Sequence, residues 1–178
     1  MFKGEGEPKE REGVAVSIFP TKILLASDGS EEAELALKTA IDLTNNTNSE
    51  LHVVTVGGAE YRHGYDIPES GDLLQETYKT IEREAQETLD EQVKKIEEAR
   101  GTVTEAHLRM GRAAEEIVTL GEEIGVGLII IGSRGRGGIR RALMGSVSDS
   151  VIRHAHCPVL VVRSEERWAK ERRAARGA

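Results

Sequence analysis

Residues Gly132 to Gly145 read GSRGRGGIRRALMG, five glycines and four arginines with no acid, in a chain whose formal net charge is −7. Glycines let backbone N–H groups approach an anion closely and permit positive φ. A helix starting at Gly145-Ser146 would add the partial positive charge of its N-terminus. At that start Ser146, Val147 and Ser148 offer N–H groups and two hydroxyls, chemistry suited to a polyphosphate. The plainer reading is a glycine loop with Ser146 as an ordinary N-cap and Asp149 completing a capping box, and the two readings are compatible. The spacing excludes the commoner phosphate loops: no Lys completes a Walker A pattern, and a GxGxxG begun at Gly135 meets Arg140 at its last glycine. Arg136, Arg140 and Arg141 read either as a solvated basic lid or as a source of one phosphate contact, since guanidinium suits bidentate recognition.

Periodicity supplies the elements that must hold this loop. Thr21 to Ser27 (TKILLAS) is a short apolar run closed by Asp28-Gly29-Ser30, a strand running into a helix start. Ala33, Ala36, Leu37, Ala40 and Ile41 then form a stripe of helical period, and Leu51 to Val56 reads as a second strand. After an aperiodic stretch over 57–71, a long helix from about Asp72 to Ala99 would bury Leu74, Tyr78, Ile81, Ala85, Leu89 and Ile96. Val103 to Leu108 is a third strand, followed by a helix carrying Ala114, Ile117, Val118 and Ile124. Leu128 to Ile131 is the strongest strand, Val147, Val151 and Ile152 mark a short helix, and Val159 to Val162 is the last strand. Apolar strands alternating with helices imply an α/β fold, a doubly wound five-stranded parallel sheet in a single domain. Such sheets bind ligands outside the carboxyl ends of strands where strand order reverses, which points to the loops after the first and fourth strands. Asp28 lies there; its plainer role is a helix cap with Glu31 three residues on.

Composition sets the outer bounds. A chain of 178 residues suits one α/β domain, and with one Trp, two Phe and three Tyr its core must be aliphatic. The longest apolar runs fall far short of the roughly 20 residues of a membrane-spanning helix. Met1 to Gly13 carries no apolar stretch of a secretory signal, so the expected location is cytoplasmic and no membrane partner is expected. The acidic balance and scarcity of aromatics argue against nucleic acid. One cysteine, Cys157, excludes an internal disulfide and any site with several thiolates. The segment His154-Ala155-His156-Cys157 crosses from helix to strand, which would spread its side chains. His52, His63 and His107 show no ligand spacing and read as structural or surface histidines.

The pattern that does fit the loop is Gly132, two residues, Gly135, nine residues, Gly145-Ser146. Together with ILLASDGSEEAELAL near the start and MGSVSDSVIRHAHCPVLVVR near the end, it resembles the nucleotide-binding members of the universal stress protein family over roughly Lys22 to Arg163. The resemblance implies a Rossmann-like domain of the adenine nucleotide alpha hydrolase-like type over 21–163. An N-terminal extension would occupy 1–20, and 164–178 would form a charged tail, either a short helix or disordered. It also implies an adenine nucleotide, ATP with Mg2+ or Mn2+, against Gly132, Arg134, Gly135, Gly145, Ser146, Val147 and Ser148. Asp28 would lie near the sugar and cation, Val53 or Val54 near adenine, and Ala26 and Ile131 at the strand ends beneath. Ala26 departs from the proline of some relatives. Relatives pair their last strands antiparallel, so Pro158 to Val162 is the expected homodimer edge, and an apolar edge strand invites such pairing. The function expected is a stress-response regulator that signals to an unidentified protein partner, with slow hydrolysis at most. The alternatives are a true ATPase or autophosphorylating enzyme, and a nucleotide-free dimeric interaction module.

Overall fold

The structure, a computed structural model, describes residues 21–58, 71–137 and 144–164, with 71–74 as backbone only. Expectations for residues 1–20, the segment 59–70, Leu74, Arg140, Arg141 and the tail from residue 165 fall outside the described side chains. The elements run β1 (Lys22–Ala26), α1 (Glu31–Thr47), β2 (Glu50–Gly57), α2 (Gly71–Glu98), β3 (Glu105–Met110), α3 (Ala113–Ile124), β4 (Leu128–Gly132), α4 (Ser146–His154) and β5 (Val159–Val162). All five strands are parallel in the order β3-β2-β1-β4-β5. The strand order therefore reverses between β1 and β4.

Alternation along the strands sorts the core into two layers. Ile23, Leu25, Leu51, Val53 and Ile130 pack with Ala36, Leu37 and Ala40 of α1 and Leu89 and Ile96 of α2. Leu24, Ala26, Val54, Ile129 and Ile131 face Ile117 and Leu120 of α3 and Val151 of α4. Strands buried on both faces read as unbroken aliphatic runs, which is why β1 and β4 were visible in the sequence. Each fully buried Leu or Ile contributes about 1.5–3 kcal/mol relative to exposure.

Two expectations need correction. Tyr78, assigned to the buried face of α2, is 54% exposed. The helix has 28 residues, about 42 Å at 1.5 Å per residue, and outruns a sheet whose strands have four to eight. Its beginning thus has no sheet beneath it, while Ile81, Ala85, Leu89 and Ile96 are buried. The third strand also begins two residues later than the alternation suggested. Thr104 N–H already bonds the Leu51 carbonyl at 2.7 Å, and Val103 packs against the α1/α2 core layer from outside the ladder.

Candidate functional site

Ala26, Val54 and Ile131 occupy one row across the sheet, Ala26 being the register partner of both others. All three are buried and on the same face. The Val54 carbonyl accepts the Ser27 N–H at 3.0 Å, so this row is the closed floor of the crevice at the strand ends. Above it, β1 and β4 open into the two segments singled out by sequence, the Asp28-Gly29-Ser30 turn and the glycine loop.

Hydrogen bonds tie these segments together. Asp28 Oδ1 accepts the Ser30 N–H at 3.0 Å and Oδ2 accepts the Arg136 N–H at 2.8 Å. The N-cap of α1 is Ser30, whose Oγ accepts the Ala33 N–H and donates to the Arg134 carbonyl, each at 3.3 Å. Asp28 is therefore not the helix cap of the plainer reading; it joins the two loops across the strand-order reversal. Two glycines are demanded by close approach. A Cβ at Gly132 would lie 2.8 Å from the Glu32 carbonyl carbon and 3.0 Å from the Ala33 nitrogen, and a Cβ at Gly135 would run into the Asp28 carboxylate. At Gly145 the nearest atoms to such a Cβ are 3.3–3.4 Å away, so packing presses less on that position.

The start of α4 completes the crevice. Gly145 N–H bonds the Ser133 carbonyl at 2.8 Å, and the first helical bond is Asp149 N–H to the Gly145 carbonyl at 3.0 Å. The N–H groups of Ser146, Val147 and Ser148 precede that bond and have no carbonyl of their own helix to meet. The N-cap is Gly145, without a side-chain cap bond, so the proposed capping box of Ser146 and Asp149 does not form. Asp149 instead pairs with Arg153 one turn on. Of the two hydroxyls, Ser146 is exposed, while Ser148 is buried and directs its Oγ–H inward between the Ser133 and Gly145 carbonyls, at 2.9 and 3.0 Å. Arg134 is 5% exposed, its side chain folded into the protein. Arg136 reaches back toward Thr88 of α2 with Nη2 3.5 Å from the hydroxyl.

Sequence reasoning missed two buried polar residues here. Glu32, in the first turn of α1 where the helix dipole favours an acid, accepts the Ser133 hydroxyl. Gln92 of α2 is fully buried and accepts the Ser27 hydroxyl at 2.9 Å. Each sits at a helical core position, which is the signal that could have found them. At the far end of α4, His154 and His156 bond backbone carbonyls of Ser150 and Val126, and burial pushes the Cys157 thiol above its ordinary value.

A glycine loop fastened beside a helix start, at the reversal point of a five-stranded parallel sheet, can be compared with known proteins. The model of the universal stress protein family matches residues 20–163. The chain belongs to that family. A universal stress protein of Methanocaldococcus jannaschii is 35% identical over 146 residues, covering 82% of this chain and 84% of that one. Hypothetical protein MJ0577, the subject of a structure-based assignment of biochemical function, superposes with a TM-score of 0.69 at 30% identity, covering 82% of this chain and 96% of that one. The universal stress protein from Archaeoglobus fulgidus, solved in complex with dAMP, superposes with a TM-score of 0.55 at 25% identity, covering 80% and 97%. No described helix of this universal stress protein is long and apolar enough to cross a membrane.

Proposed function

We propose that this chain binds an adenine nucleotide, ATP with Mg2+ or Mn2+, in the crevice between β1 and β4 and acts as a homodimeric regulator. The observation that carries this reading is the Asp28–Arg136 tie, which brings the β1 turn and the glycine loop together beside the first turn of α4. The backbone N–H groups of Ser146, Val147 and Ser148 are the phosphate donors of this reading, with Gly132, Arg134, Gly135 and Gly145 shaping the cradle. Asp28 is the carboxylate available to a nucleotide-bound cation, which would neutralise phosphate charge. The apolar row of Ala26, Val54 and Ile131 is the floor on the base side. The dAMP held by the Archaeoglobus fulgidus relative supports an adenine nucleotide as the ligand class.

Slow hydrolysis at most is expected from the acids themselves. Asp28 accepts two backbone N–H groups, Glu32 accepts the Ser133 hydroxyl, and Asp149 is paired with Arg153. Asp28 is the cation's carboxylate in this reading, and the other two are held by the Ser133 hydroxyl and by Arg153, so none of the three is placed as a general base. The regulatory output therefore passes to an unidentified protein partner rather than to a chemical product. The dimer of this reading forms along β5, an edge strand whose Leu160 is 37% exposed. Leu160→Glu is expected to convert it to a monomer in light scattering.

The test of binding is mass spectrometry of the denatured, freshly purified protein, followed by calorimetric titration with ATP and Mg2+. Adenine nucleotide in the denatured sample, or micromolar binding that Gly135→Ala abolishes, is the expected result. A wild type that carries no nucleotide and takes none up at millimolar ATP overturns the reading.

A further inference from the structure

The parallel register of β2 and β3 brings together residues that looked scattered in the sequence. Glu105 is the partner of His52 across the ladder and His107 stands two residues along β3, so all three share the α3 face. His52 is 4% exposed, His107 is half-buried and Glu105 reaches solvent. His52 Nδ1 lies 3.2 Å from His107 Nε2, and the Glu105 Oε2 lies 3.8 Å from His107 Nε2 and 4.0 Å from His52 Nδ1. The point equidistant from these three atoms is about 2.1 Å from each, inside the roughly 2.0–2.2 Å range of zinc–nitrogen and zinc–oxygen bonds. Glu50 Oε2 sits 3.5 Å from the other ring nitrogen of His52, Nε2. A carboxylate there favours the tautomer with its proton on Nε2 and its lone pair on Nδ1, facing His107.

We propose that His52, His107 and Glu105 form a site for a divalent transition-metal ion of the zinc class, with Glu50 orienting His52 from behind and a fourth position open to solvent. Two imidazoles and one carboxylate are borderline ligands that suit zinc and cobalt over magnesium or calcium. The charged neighbours agree with this. Arg109, the cation on the same strand, is paired with Glu123 of α3, while Glu50 and Glu105 add negative charge. Entry is from the Glu105 side. The site lies at the amino ends of β2 and β3, the opposite end of the sheet from the glycine loop that follows β4, and is independent of the nucleotide reading.

Titration of the full-length, chelator-treated protein with Zn2+, and with Co2+ as a spectroscopic probe, tests the site. The expected result is one ion per chain and the visible bands of four-coordinate Co2+. His107→Gln and Glu105→Gln are expected to weaken Zn2+ by at least ten-fold, and Glu50→Gln by about 10–100-fold through the loss of its orienting role. Glu105 and Glu50 are exposed, so their variants report on the metal even where a histidine variant folds poorly. A wild type that takes up no ion overturns the proposal. So does an ion that stays with undiminished affinity in both Glu105→Gln and His107→Gln.

Discussion

The two ends of the sheet are built from different materials. At the carboxyl ends of β1 and β4 the crevice is made of backbone: glycines, a helix start, and one carboxylate whose two hydrogen bonds both go to main-chain N–H groups. At the amino ends of β2 and β3 the cluster is made of side chains, and two imidazoles and a carboxylate meet because the register puts residues 52 and 105 side by side. A site made of backbone tolerates changes of side chain and fails when the chain's path changes. A site made of side chains behaves in the opposite way.

That contrast can be broken or sharpened by substitution. The largest effect is expected from Gly132→Ala, whose new Cβ meets the Glu32 backbone at 2.8 Å. A loss of about 2–3 kcal/mol in urea unfolding, with loss of nucleotide uptake, is the expected cost of overpacking there. Asp28→Ala removes both bonds that join the loops and is expected to cost about 2 kcal/mol and to abolish ATP binding in calorimetry. Retained affinity would show that the tie is not what shapes the crevice. Ser148→Ala deletes a hydroxyl that serves the Ser133 and Gly145 carbonyls but leaves its N–H in place. Unfolding is expected to show about 1 kcal/mol less stability and ATP affinity to change by less than about five-fold.

The smallest effect belongs to the other end and is read by pH. Burial depresses His107 below its ordinary value of 6.5. The unfolded chain then binds more protons than the folded one as pH falls below that value. Stability is accordingly complete above it and declines as pH drops through the depressed value. In metal-free protein, His107→Gln is expected to flatten the dependence of the urea midpoint on pH between about 7 and 5.

The same contrast explains what was legible in the sequence. The glycine spacing and the order of the nine elements were readable because a backbone path writes itself into runs: Leu128 to Ile131 for a strand buried on both faces, Gly132 and Gly135 where no Cβ fits. The inward turn of Ser148 was not readable, since a serine at a helix start serves equally well as cap, donor or tie. Tyr78 misled because helical period continues past the end of the sheet that gives it meaning. His52 and His107 gave no signal because their proximity depends on the register of two strands joined by a long helix.

The strand order also bears on how the chain closes up and comes apart. β2 and β3 follow β1 on one side of the sheet, whereas the central seam pairs Ile23 with Leu128 and Ala26 with Ile131. Contacts so distant along the chain require the largest loop closure and are expected late in folding, after the β1-β2-β3 half has formed. Interactions that form after the rate-limiting step slow unfolding more than they speed folding. A ligand seated across the mouth of that seam would therefore lengthen the lifetime of the folded molecule, visible as slower hydrogen exchange in β4, while leaving its rate of formation almost untouched.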